Sequence, residues 1–187
     1  MLSKITNSLS SSEVLGSVGV YSVDKLISEA RRLAADYRRA TGKPLAGVSG
    51  EIAQHDAIQL LDLELCNPPI AGCDAIGKSG SRKDLKVQIK GRTIFDEAKS
   101  GQRIGQLKME QEWDLVVLVL LDEELETFEI YEASREALKE AMDEGGSSKR
   151  AKRGAMSVAK FKIIGHLAWT RENGLEDDEL WDNQADG

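Results

Sequence analysis

The chain has 187 residues, 41% of them hydrophobic and 30% charged, with a formal net charge of −7. These are ordinary proportions for one soluble globular domain whose core needs no disulfide or metal staple. No run approaches the ~18 apolar residues that span a bilayer, and the first residues lack the charged start and apolar middle of a signal peptide. A cytoplasmic protein with no membrane partner is therefore expected.

Residues 1–20, rich in Ser and Gly without a sustained period, read as a disordered N-terminus. Val23, Leu26, Ile27, Ala30, Leu33, Ala34 and Tyr37 then recur at helical spacing, predicting a helix from about Val23 to Arg39. Ser22 is its expected N-cap, with Gly42 and Pro44 ending it. A second helix is expected from Ser49 to about Leu61, with Ile52, Ala53, Ala57, Leu60 and Leu61 as its apolar side. Leu63 to Cys66 reads as a short strand that Asn67-Pro68-Pro69 breaks. Ile70 to Ile76 is a second strand, and Gly77-Lys78-Ser79-Gly80-Ser81 a turn. Leu85 to Arg92 alternates, with Leu85, Val87 and Ile89 on one face and Lys86, Gln88, Lys90 and Arg92 on the other. The polar residues 93–112 carry no clear period.

The run from Leu115 to Leu121 is the mark of a strand buried on both faces. Thr127 to Tyr131 fits as its partner across a turn at Asp122–Glu126, and a helix follows from about Ser134 to Met142. Beyond a Gly-Gly-Ser-Ser linker, Ser157 is expected to cap a last helix carrying Val158, Phe161, Ile164, Leu167 and Ala168. This order predicts a mixed α/β fold, a central mixed sheet of about five strands flanked by helices. A single domain should cover residues 21–170, with its core at about 49–143 and a basic extension at 147–170.

Charge is unevenly distributed. Gly145 to Arg171 contains no Asp or Glu but holds Lys149, Arg150, Lys152 and Arg153, whereas residues 172–187 form an acidic tail. The basic run reads either as a phosphate-contacting loop or as a solvated linker. Aromatics are not interleaved with it, so duplex DNA fits better than a single strand. The two cysteines, Cys66 and Cys73, have no histidine neighbours at zinc-site spacing and read as reduced core thiols.

Four residues are poorly explained by packing together. Asp74 interrupts an apolar stretch, where a carboxylate is costly unless it is paired or binds a cation. Gln88 and Lys90 share one strand face, and a short turn could bring Asp74 beside them. Each also has a plain reading. Asp74 could pair with Lys90, and Lys86, Lys90 and Arg92 could be the solvated face of a strand. Glu51 could simply favour a helix N-terminus by ~0.3–1 kcal/mol. His55, one turn beyond Glu51, reads as a surface histidine or as a neighbour of the site.

Gly72-Cys73-Asp74-Ala75, followed by Val87-Gln88-Ile89-Lys90 and preceded by Gly50-Glu51-Ile52-Ala53, resembles the PD-(D/E)XK nuclease superfamily, the restriction-endonuclease-like fold. The resemblance spans roughly residues 49–133. It implies a nuclease core in which Asp74 and Gln88 face one Mg²⁺ (or Mn²⁺), Glu51 supplies a further carboxylate and Lys90 faces the attacking water. Two departures stand out: Gln88 occupies a place that is usually acidic, and Cys73 the place of the motif's proline. Glutamine removes a charge but keeps a carbonyl oxygen that can ligate. The expected function is metal-dependent hydrolysis of DNA phosphodiesters, with Arg92 and the basic run contacting DNA. A homodimer is compatible with this, since duplex cutting often uses two subunits. The rival readings are a binding module that keeps the fold without cleavage and a small assembly protein.

Overall fold

A computed structural model of the chain describes residues 22–95, 102–144 and 156–176. Its elements are α1 (Val23–Thr41), α2 (Val48–Leu60), β1 (Leu63–Ile70), β2 (Cys73–Gly77), β3 (Lys86–Thr93), β4 (Leu115–Leu121), β5 (Thr127–Ser134), α3 (Arg135–Glu144), α4 (Val158–Ile164), β6 (His166–Thr170) and β7 (Gly174–Leu175). The strands lie in chain order in one sheet. All neighbours are antiparallel except β3 and β4, which run parallel. The class is mixed α/β as expected, but the sheet has seven strands among the described residues where about five were predicted. No helix among them is long and apolar enough to cross a membrane. The N-terminal segment expected to be disordered and the basic run Lys149 to Arg153 lie outside the described residues.

The centre of the sheet follows from composition. All seven residues of β4 are buried, so both faces need cover. One face carries Val87, Ile89, Val117, Val119 and Ile130 against Ile52, Ala53 and Ala57 of α2. The small side chains of α2 let it lie close to β3: a Cβ placed on Gly91 would stand 2.5 Å from Ala53 Cβ. The opposite face buries Val116, Leu118 and Leu120 under Leu138, Phe161 and the segment holding Ile104, Leu107 and Trp113. Helix α1 packs outside α2 and ends at Gly42 in the left-handed region (φ 68°), whose N–H bonds Arg38 O.

Three expectations are corrected. Strand β1 runs through Pro68 and Pro69 to Ile70, but its pairing is irregular between Leu65 and Ile70. Proline is tolerated there because β1 is an edge strand. Ile70 therefore belongs to β1, and β2 begins only after the tight turn at Ala71-Gly72. At the other end, Ser157 does cap a helix, accepting from Lys160 N–H, but that helix stops at Ile164. Residues 166–170, expected to continue it, form β6. The acidic tail is also not wholly a tail: Gly174-Leu175 is a strand, and Glu176 N–H bonds Ala168 O.

Candidate functional site

The register Ala75↔Val87 and Ile76↔Lys86 places Asp74 level with Gln88 as β2 leaves β3. Instead of continuing the ladder, Asp74 accepts the Ile89 N–H at 2.7 Å through Oδ2. The carboxylate thus satisfies a backbone donor in the gap between the strands, while no hydrogen bond among the described residues engages Oδ1. Gln88 is 4% exposed. Its Nε2 donates to Gly72 O at 3.2 Å, and this bond orients Oε1, which is buried and has no hydrogen-bond partner among the described residues. An orphaned buried acceptor costs about 1–3 kcal/mol. Such an acceptor can take a cation or a hydrogen-bond donor.

Lys90 follows on the same face of β3 and is partly buried, and its ammonium makes no ion pair or hydrogen bond among the described residues. Burial lowers its pKa, and the cations of Arg92 and Lys108 lower it further against the opposing pull of Asp74. Asp74, Gln88 and Lys90 therefore occupy neighbouring positions on β2 and β3. Glu51 is exposed on the first turn of α2, which rests on Gly91 through Ser49 and Ala53. It forms no hydrogen bond or ion pair with the other three.

Arg92 has a task that the sequence did not suggest. Its guanidinium donates to the carbonyls of Arg103 and Gly91, tying the 102–112 segment to β3. Burial lowers its pKa. His55 stands apart from the site, bonded to Asp24 and Asp56 in the clasp between α1 and α2. Cys66 and Cys73 are free and buried. Burial, then the adjoining Cys66 thiol, push Cys73 up to about 12, which leaves it unreactive near neutral pH.

The donor set fits a hard divalent ion held sparingly. Asp74 Oδ1 and Gln88 Oε1 are oxygens, as Mg²⁺ prefers, and Mg²⁺ commonly keeps several waters beside one or two protein ligands. No cluster of three or more His, Cys, Asp or Glu suited to a metal occurs among the described residues. Any ion here would therefore rely on Gln88 and water as well as carboxylate. The residue missed by sequence reasoning is Lys108, whose segment has no periodicity to place it. No protein-family model matches the sequence, and no curated protein is significantly similar to it.

Proposed function

We propose that the chain is a metal-dependent nuclease of restriction-endonuclease-like architecture acting on DNA phosphodiesters. The observation that carries this reading is the buried Oε1 of Gln88, without a hydrogen-bond partner among the described residues, beside Asp74 and a Lys90 that pairs with none of them. The order of one helix, three antiparallel strands and a parallel fourth supports it. Asp74 and Gln88 would hold one Mg²⁺, or Mn²⁺ in its place, with Glu51 as the further carboxylate. When bound, the ion supplies Lewis-acid polarisation of the scissile phosphate. Lys90 orients the attacking water and offsets charge gathering on the phosphate oxygens. Because Lys90 is partly buried and repelled by neighbouring cations, less free energy is needed for it to give up or share a proton.

The test is cleavage of supercoiled, linear and branched DNA with Mg²⁺ or Mn²⁺, comparing the wild type with Lys90→Ala. Metal-dependent cutting that falls at least about a hundredfold in the variant is the expected result. Absence of cutting on every substrate, with a melting temperature indifferent to metal, would refute the enzyme reading. A second reading, a DNA-binding module without cleavage, is favoured by the neutral Gln88 and by the use of Asp74 Oδ2 as a backbone acceptor.

Gln88→Glu separates the two. It adds a carboxylate level with Asp74, so metal-free stability should fall through like-charge repulsion. Divalent affinity should rise at least about tenfold, read as a larger metal-induced rise in melting temperature. Equal responses to Mg²⁺ in both proteins would show that position 88 does not face an ion.

A further inference from the structure

The segment from Gln102 to Glu112 forms an arch over the face that carries Gln88 and Lys90, and its two ends are fixed independently. At one end, Ile104 N–H bonds Met156 O at 3.0 Å and Val158 N–H bonds Gln102 O at 2.9 Å, with Ile104 and Leu107 buried beneath. At the other, Arg135 donates to the carbonyls of Met109, Gln111 and Trp113 and lies over the Trp113 ring. Trp113 Nε1 and Gln111 N–H both donate to Lys108 O at 3.0 Å.

The arch meets the site twice. A Cβ on Gly105 would lie 3.3 Å from Arg92 Nη2 and 3.9 Å from Lys90 Cδ. A Cβ on Gly72, whose carbonyl holds Gln88, would fall 2.5 Å from Gln111 Cβ. Lys108 stands between these two contacts, with its backbone pinned and its side chain exposed. Its charge is felt at Lys90. Arg92 and Lys108 thus place two further cations within electrostatic reach of Lys90, beside Asp74, an arrangement suited to an anionic substrate.

We infer that this arch is a phosphate-binding wall of the site and that Lys108 grips a backbone phosphate of nucleic acid, with Arg92 holding the arch in place. The inference rests on the nuclease reading. A lysine whose backbone is already ordered loses less entropy on binding, and one phosphate contact contributes about one unit to the salt dependence of affinity.

The test is binding of a fluorescein-labelled duplex of about 20 base pairs in EDTA, followed by anisotropy over a salt series. Binding without metal is measured separately from cleavage. Lys108→Ala should weaken binding roughly five- to tenfold and reduce the salt slope by about one, and Lys108→Arg should restore both. Lys108 makes no side-chain hydrogen bond or ion pair among the described residues, so the variant should melt like the wild type. Wild-type affinity and slope in Lys108→Ala would overturn the role of the arch and leave the cleavage result standing. A wild type that neither binds nor cuts DNA would overturn the nuclease reading and this inference together.

Discussion

Asp74→Asn should abolish metal-dependent cleavage, with a loss on the order of a thousandfold, while the metal-free protein melts close to the wild type. The two effects separate because Asp74 has two tasks. Its Oδ2 accepts the Ile89 N–H in the gap between β2 and β3, and asparagine keeps a carbonyl oxygen for that bond. Its charge would hold the ion, and asparagine removes it. Loss of several kcal/mol of transition-state stabilisation corresponds to about three decades in rate. Added Mg²⁺ should also stop raising the melting temperature, because the stabilisation follows ligand binding to the folded state. Asp74→Ala would confound the experiment, since it also strands the Ile89 donor at a cost of about 1–3 kcal/mol. Undiminished cleavage by Asp74→Asn would mean that the carboxylate serves the strands alone.

The parts of this arrangement that were legible in sequence are those governed by local pattern. The alternation from Lys86 to Arg92 placed Gln88 and Lys90 on one face, and the apolar run of β4 identified the central strand. The left-handed Gly42 ended α1 where a glycine before Pro44 suggested. What was missed depends on distant partners. Residues 166–170 carry apolar side chains compatible with a continuing helix. Gly165, however, abuts the Glu132 carbonyl, where a Cβ would fall 2.6 Å from the oxygen, and the chain turns there into β6 to pair with β5. The arch around Lys108 has no period of its own. It is shaped by Arg135, more than twenty residues later, satisfying two of its carbonyls and that of Trp113 just beyond it. The direction in which Gln88 Oε1 faces was likewise invisible in sequence, because the Gly72 carbonyl fixes which way the amide turns.

Glu132→Gln should cost about 3 kcal/mol at neutral pH and far less in acid. Glu132 lies on β5 with its side chain 5% exposed, held by Arg82 Nε at 2.7 Å and His166 Nε2 at 2.9 Å. Burial would raise its pKa, but the bonds from His166 and then Arg82 together outweigh burial and hold it below the usual carboxylate range. Both oxygens accept, so an amide must turn its NH₂ toward a donor, and the charge that balanced Arg82 is lost. Breaking a buried pair in this way costs about 3–5 kcal/mol, and the residual exposure of Arg82 and His166 points to the lower end. The sign of the pH dependence follows from the depressed pKa. The stabilisation is present above the unfolded glutamate value of about 4.3 and is lost as pH falls through the lower folded value. Urea unfolding of both proteins at pH 7 and at about pH 3 should therefore show a wide gap that closes in acid. A gap of equal size at both pH values would show that Glu132 acts through shape and packing, with its charge contributing nothing to the link between β5, β6 and the loop that carries Arg82.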